Sequence, residues 1–258
     1  MQVAAHVFSF ATGYAKANNV PLKILLTSIP APSDYFYPFP NDLKLTETNT
    51  TSESVNEELI KLLEDNVAFL KDECAVLNID CEVVSNATKK SIIEASKTSR
   101  LLITGANIEF PDFEIGDLLG HIECPAMLVP LTAPKIENVI LAYDGSKSAH
   151  LAIEKFMKIF PSYTGQPTQL VTVNRFEEKM LHKEFINETL RTTFKNLSIT
   201  QLEGDEKEEM IEFLRKYPVN TVVVIGGYGR NVLSRLFHAS MTNAILQNTR
   251  VSVFIAHA

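Results

Sequence analysis

The feature that most constrains the fold is a series of short, nearly continuous apolar runs, repeated along the whole 258-residue chain. Strands covered on one face alternate apolar and polar residues, whereas parallel strands covered on both faces read as continuous apolar runs. The pattern therefore predicts strands of the second kind, at residues 23–29, 81–84, 100–105, 125–129, 138–144, 169–173, 197–202, 221–226 and 251–256.

Amphipathic segments separate these runs. Two of them carry an apolar stripe at helical spacing, formed by Val3, Val7, Phe10 and Tyr14 and by Ala149, Ile153, Phe156 and Phe160. Strands and helices thus alternate along the chain. This order predicts an α/β fold with doubly wound, open parallel sheets and right-handed crossovers.

The chain also contains an internal repeat, in which the order of elements is kept while the spacings drift. Residues 4–6 (AAH) match 148–150 (SAH), and 25–29 (LLTSI) match 170–174 (LVTVN). Further along, 101–106 (LLITGA) match 222–227 (VVVIGG), and 125–130 (PAMLVP) match 251–256 (VSVFIA). The repeat predicts two tandem domains, residues 1–133 and 136–258, joined at residues 132–135.

The first copy differs from the second in two respects. The counterpart of the run at 138–144 would fall before Met1, so the first copy is expected to lack its opening strand through truncation, a mis-chosen start or divergence. An insertion after Thr27 contains a Pro-rich aromatic loop at 30–40 and a helical pattern at 56–77. We expect the loop to pack over a sheet edge, with a role in binding a partner as the alternative.

Composition narrows the classes of partner and compartment. The formal net charge is −7, which disfavours binding to the phosphate backbone of a nucleic acid. The three cysteines form no CxxC pair, and no basic residue precedes Lys16 as it would in a signal peptide. No apolar run has the ~18 residues that a membrane span needs. We therefore expect a cytoplasmic protein that binds neither nucleic acid nor membrane.

Two features of the second copy could bind a ligand. The run at 138–144 ends in Asp144. An acid at the carboxyl end of a parallel strand can hydrogen-bond a ribose or base. Asp144 could equally cap the next helix. Gly226 ends another run, Gly229 follows three residues later, and Ser240 opens a helical segment. Glycines admit an anion close to the backbone, and a helix N-terminus attracts it.

These motifs resemble those of the universal stress proteins. Nucleotide-binding members of that family carry a strand ending in Asp and a Gly-x2-Gly-x9-Gly-[Ser/Thr] loop, for which this chain has ILAYDGS and Gly226-x2-Gly229-x9-Ala239-Ser240. The resemblance implies a tandem member with adenine-nucleotide α-hydrolase-like domains. Within it, Asp144 would contact adenosine and Val173 the adenine. The phosphates would be held by Gly226, Gly229 and Ser240, together with Arg230.

Ala239 departs from this pattern, because the family has glycine there. If the position requires positive φ, alanine costs roughly 1–2 kcal/mol; if it requires close backbone approach, the methyl group crowds the phosphates. In the first copy, alignment on the last strand places Phe113 and Glu114 opposite Ala239 and Ser240, and no second glycine follows Gly105 at that distance. The first copy is therefore expected to bind no nucleotide.

Other segments predict structural roles. The acid-rich segment 204–210 indicates the start of a helix. There Asp205 and Glu208 have the spacing of a capping box, and we expect the acidic side chains to form a solvated face. No spacing of histidines, cysteines or carboxylates indicates a metal site or a catalytic triad.

Three functions remain open on these residues. The first is a regulatory stress-response protein that binds ATP or another adenine nucleotide in its second domain, with at most slow hydrolysis. The second is a degenerate member that binds no nucleotide and acts as a protein-interaction scaffold. The third is an ATP-using enzyme such as an adenylating pyrophosphatase. That class carries the motif Ser-Gly-Gly-x-Asp-Ser, which the segment YDGSKS of this chain does not match. The resemblance further implies antiparallel pairing of the last strands, PAMLVP and VSVFIA, within the chain or in a homo-oligomer.

Overall fold

The computed structural model describes residues 4–27, 52–106, 108, 110, 112–132, 135–173, 185–227 and 241–256, with the backbone alone at 52–60. The strands are β1 Leu22–Thr27, β2 Cys81–Ala87, β3 Leu102–Gly105, β4 Ala126–Val129, β5 Asn138–Ala142, β6 Pro167–Val173, β7 Asn196–Leu202, β8 Thr221–Gly226 and β9 Ser252–Ala256. The α-helices are α1 Ala5–Asn18, α2 Ser52–Val76, α3 Lys89–Ser96, α4 Ile115–Leu119, α5 Lys147–Ile159, α6 Arg191–Thr193, α7 Glu206–Arg215 and α8 at residues 241–248.

Each strand predicted from an apolar run is confirmed, with its ends no more than three residues from the prediction, except that the predicted end of the first run, at 28–29, lies outside the described residues. A 3-10 turn at Pro161–Gly165 follows α5, and a π-helical segment at Phe185–Leu190 leads into α6. Contacts divide the chain into two units, residues 1–89 with 110–112 and residues 90–109 with 113–258. The predicted domains, 1–133 and 136–258, are defined by sequence repetition rather than by contacts and stay a prediction.

The first unit contains a two-stranded parallel sheet, β1 and β2, in the register Leu22↔Cys81. Helix α1 contacts β1, and helix α2 contacts β2. Its small core is formed by the buried side chains of Ala15, Cys74 and Ile79. The Pro-rich loop at 30–40 lies outside the described residues.

The second unit contains a seven-stranded sheet in the order β3-β4-β9-β8-β5-β6-β7. Every neighbouring pair is parallel except β4 and β9, which are antiparallel with Met127 opposite Phe254. The predicted antiparallel pairing of the last strands is therefore confirmed within the chain, whereas the oligomeric state stays a prediction. The five strands from β5 to β9 form the doubly wound α/β arrangement, and the strand order reverses between β5 and β8.

Helix α5 covers the middle of this sheet, where it contacts β8 and β9. Its buried face carries Ser148, Ala149, Ala152, Ile153, Phe156 and Ile159. The rings of Phe156 and Phe254 meet edge to face with their centroids 5.3 Å apart, an arrangement that aromatic pairs prefer. This packing fixes the N-terminus of α5 beside the carboxyl end of β8.

Within the described part of the chain, β1 pairs with β2 alone and β3 with β4 alone. In the C-terminal half, β5 lies between β6 and β8, which are the counterparts of β1 and β3 in the predicted repeat. No described strand takes the equivalent position between β1 and β3. Residues of the predicted first copy consequently belong to two different sheets.

Candidate functional site

The loop after β5 is a tight turn organised by Asp144. One carboxylate oxygen of Asp144, Oδ1, accepts a hydrogen bond of 2.9 Å from the backbone N–H of Ser146. Gly145 between them has a φ of +75°, a conformation that glycine adopts without strain. The strand therefore ends at Ala142, two residues before the end predicted from the sequence. Asp144 therefore has a structural role in this turn, whereas the side chain that caps the next helix is that of Ser146 rather than Asp144.

Helix α5 begins directly after this turn and is capped by Ser146. The side-chain oxygen of Ser146 accepts a hydrogen bond of 3.1 Å from the N–H of Ala149 and lies 2.9 Å from the hydroxyl oxygen of Ser148. Capping satisfies one of the N–H groups that have no partner inside the helix. The positive end of the helix dipole therefore lies next to the carboxylate of Asp144.

Gly226 closes the site from the side of β8, and its lack of a side chain is a packing requirement. A Cβ at this position would lie 2.6 Å from the backbone N of Ala149 and 2.7 Å from the backbone C of Ser148. Both contacts are shorter than real Cβ atoms tolerate, and neither backbone atom can move without moving α5. Gly226 thus allows the first turn of α5 to approach the end of β8.

A cavity lies at the carboxyl ends of β5, β6 and β8, where the strand order reverses. Its empty volume is about 610 Å³, a figure that includes space open to solvent. Open α/β sheets bind ligands at this position because loops from both directions of winding diverge there. The lining residues are Ala142, Tyr143, Asp144, Ala149, Val171, Val173, Glu206, Met210, Ile225, Gly226 and Met241.

The cavity wall is mostly apolar and carries two acidic side chains. Val173, Met210 and Ile225 are buried aliphatic groups that could contact a flat, apolar ring. Asp144 and Glu206 are the carboxylates of the wall, and each could accept hydrogen bonds from hydroxyl or amino groups. The site is therefore suited to a neutral, polar-edged ring compound more than to a bare anion.

Tyr143 lines the cavity, and its buried hydroxyl stays protonated at neutral pH. Burial, together with the nearby charge of Asp144, raises the pKa of Tyr143 to about 12. The ring lies 6.3 Å from that of Phe185 in a stacked arrangement. This contact holds the residue next to Asp144 in a fixed orientation.

The structure brings together three of the predicted site residues, Asp144, Val173 and Gly226, around one cavity. The remaining four predicted residues, Gly229, Arg230, Ala239 and Ser240, lie outside the described residues. In the N-terminal half, Glu114 precedes the five-residue helix α4 as its N-terminal flanking residue.

Sequence reasoning missed Glu206 and Met210 as cavity residues. The sequence predicts a capped helix start with a solvated face at 204–210, and the cap by Asp205 is confirmed because its side chain accepts hydrogen bonds from the N–H groups of Lys207 and Glu208. The reciprocal bond from the Glu208 side chain that a capping box requires stays a prediction. The apolar Met210 within an acid-rich segment was the available signal. It indicates that one side of α7 faces the protein.

The described residues contain no group of three or more His, Cys, Asp or Glu side chains that could hold a metal ion. Among these same ranges, no helix is long and apolar enough to cross a membrane.

No family model matches the chain, and no curated protein matches it by sequence. Solved structures do match. A universal stress protein from Archaeoglobus fulgidus DSM 4304 is similar with a TM-score of 0.64 and 14% identity, over 98% of this chain and 91% of that one. A candidate universal stress protein from Pseudomonas aeruginosa UCBPP-PA14 is similar with a TM-score of 0.51 and 13% identity, over 92% of each chain. The chain therefore has the universal stress protein fold.

Proposed function

We propose that this chain is a regulatory stress-response protein that binds an adenine nucleotide in the cavity beside α5. The observation that carries the proposal is the meeting of Asp144, Val173 and Gly226 around one cavity at the point where the strand order reverses. These residues come from three different strand ends.

In the proposed complex, the adenine lies against the apolar wall that includes Val173 and Met210. Asp144 accepts hydrogen bonds from the ribose hydroxyls, since it lines the cavity and a carboxylate accepts hydrogen bonds through both of its oxygens. The phosphates extend toward the loop that begins at Gly226, where Gly229, Arg230 and Ser240 would hold them. Ala239 in this loop would weaken the phosphate contacts relative to glycine.

On this proposal the chain binds a nucleotide and does not hydrolyse it rapidly. A regulatory protein needs the nucleotide to change its surface, whereas rapid hydrolysis needs a positioned base and a bound metal ion. Hydrolysis of ATP, if it occurs, is expected to be slow. We further propose a tandem arrangement of two domains, residues 1–133 and 136–258, and a cytoplasmic location.

A second candidate function is a protein-interaction scaffold that binds no nucleotide. Two observations favour it: Ala239 replaces the glycine of the family loop, and the cavity wall carries two carboxylates, Asp144 and Glu206. Two negative charges in a half-enclosed site repel a polyphosphate. Adenosine or a singly charged nucleotide would be repelled less than ATP.

Isothermal titration calorimetry separates the two functions. The native chain and the variants Asp144→Asn and Ala239→Gly are titrated with ATP, AMP, adenosine and GTP. Asp144→Asn keeps an oxygen for the turn but removes the charge, so we expect binding to weaken about tenfold or more, as for the loss of a charged hydrogen bond. The matched control is Asp80→Asn at an exposed position of the first unit.

The control variant should bind as the native chain does, and Ala239→Gly should bind more tightly. Equal binding by the native chain and Asp144→Asn would overturn the proposed ligand geometry. If neither the native chain nor Ala239→Gly binds any of the four compounds, the scaffold function stands.

A further inference from the structure

A second chemically active feature lies in the first unit, at the turn between α2 and β2. The backbone N–H of Ile79 donates to the carbonyl of Cys74 at 2.9 Å, and that of Asn78 donates to Ala75 at 3.0 Å. Asn78 has a φ of 56°, in the left-handed region. This is the Schellman arrangement that ends a helix and reverses the chain. It returns the chain to the sheet, where β2 begins at Cys81.

The reversal places two of the three free cysteines in the same small core. Cys81 packs against the core formed by Ala15, Cys74 and Ile79, and Cys74 is among the groups that raise the pKa of Cys81. Cys74 is 1% exposed, whereas Cys81 is partly exposed. The pair therefore consists of one thiol that an external reagent can reach and one that only its neighbour can reach.

We propose that Cys74 and Cys81 form a reversible intrachain disulfide by exchange with a small-molecule disulfide such as oxidised glutathione. The thiolate of Cys81 attacks one sulfur of the reagent. Its disulfide bond breaks, and one thiolate leaves and takes up the proton that Cys81 gave to solvent. Cys74 then loses its proton to solvent and attacks the sulfur of Cys81. The second reagent sulfur leaves, so two protein thiols are oxidised and one reagent disulfide is reduced to two thiols.

The environment of Cys81 sets the pH dependence of this exchange. Burial, the hydrogen bond with Cys74 and the charge that Cys74 would carry raise the pKa of Cys81 to about 12; Asp80 raises it further, and Lys71 opposes the change. Only the thiolate attacks, and its fraction below the pKa rises tenfold for each pH unit. The exchange should therefore be slow at neutral pH and about tenfold faster for each unit between pH 7 and 9.

Cys124 provides an internal control. It lies in the second unit, is 4% exposed, and burial raises its pKa to about 11. A reagent that enters by local unfolding anywhere in the chain would oxidise or glutathionylate this thiol as well. A reagent that uses the proposed pair leaves it reduced.

To test the proposal, the full chain is exposed to oxidised glutathione at pH 8. The remaining thiols are then alkylated with N-ethylmaleimide in denaturant, and the masses of the intact chain and of its peptides are measured. We expect one alkylated residue, Cys124, and a disulfide linking Cys74 to Cys81 that dithiothreitol reverses. Cys74→Ser should stop at a stable glutathione adduct on Cys81. Cys81→Ser should acquire no adduct, because Cys74 is enclosed.

Three outcomes would overturn the proposal: all three thiols alkylated after exposure, a glutathione adduct that persists on Cys81 of the native chain, or equal adduct formation on Cys74 in Cys81→Ser. Circular dichroism of both serine variants before oxidation establishes that they are folded. If either variant is unfolded, Cys74→Ala and Cys81→Ala replace them with the same expected products.

Discussion

Helices α1 and α5 occupy matching places in the predicted repeat, yet they differ in how deeply they are packed. Helix α5 buries six residues against the middle of a seven-stranded sheet, whereas α1 buries three, Ala11, Thr12 and Ala15, and contacts one strand of a two-stranded sheet. The difference follows from β5, which joins β6 to β8 and so widens the sheet under α5. In a doubly wound fold, a helix therefore buries more residues where the sheet beneath it is wide and continuous.

The same comparison applies to the cavity at the strand ends. In the C-terminal half, a continuous sheet holds the ends of β5, β6 and β8 at fixed spacing, and Asp144 and Gly226 meet there. In the N-terminal half, the matching strands belong to different sheets of the described chain. A site built from several strand ends requires that all of them belong to one sheet.

The largest expected effect concerns the aromatic side chains of the two helices. Phe156 of α5 is fully buried and packs against Phe254, so Phe156→Ala should lower the free energy of unfolding by about 3–5 kcal/mol. Phe8 of α1 is partly buried, and Phe8→Ala should cost about half as much. Urea unfolding followed by circular dichroism measures both. Equal losses would show that α1 is anchored as firmly as α5.

A smaller effect is expected from two glycine substitutions. Gly226→Ala forces a Cβ into the backbone of α5 and should cost about 1–3 kcal/mol. In α1, a Cβ on Gly13 would meet no described atom within 4 Å, so Gly13→Ala should stabilise the helix by about 0.5–1 kcal/mol. Thermal unfolding of the two variants tests the difference in sign. A stabilising Gly226→Ala would contradict the close approach of helix and strand.

The smallest effect concerns the helix caps. Ser146 accepts a hydrogen bond at the start of α5, and Ser146→Ala should cost about 1 kcal/mol. Helix α1 has Ala4 at the corresponding position, so Ala4→Ser should stabilise by up to about 1 kcal/mol. Denaturant midpoints of the two variants should move in opposite directions. If Ala4→Ser destabilises, the α1 terminus does not have the geometry of a capped helix.

Much of the fold could be predicted because the signals are local. Buried parallel strands read as apolar runs, so all nine could be located to within a few residues. The pairing of β4 with β9 followed from resemblance to a known fold and is confirmed. The predicted strand end at Asp144 was two residues too long because hydrogen bonding by the side chain, rather than apolar content, ends the strand.

The cavity could be predicted only in part. Asp144, Val173 and Gly226 are marked by their positions at strand ends, but Glu206 and Met210 come from a helix whose approach depends on the whole topology. The packing role of Gly226 was missed for a similar reason. Its neighbours, Ser148 and Ala149, belong to a helix far earlier in the chain. Contacts of this kind leave no pattern within a short window of sequence.

Photolabelling with 8-azido-ATP followed by peptide mapping tests most directly the proposal that the C-terminal half binds an adenine nucleotide. We expect the label on peptides carrying Val173, Met210 or Met241, and we expect excess ATP to prevent the labelling and Asp144→Asn to reduce it. Labelling concentrated in residues 1–89, or labelling that excess ATP does not reduce, would contradict it.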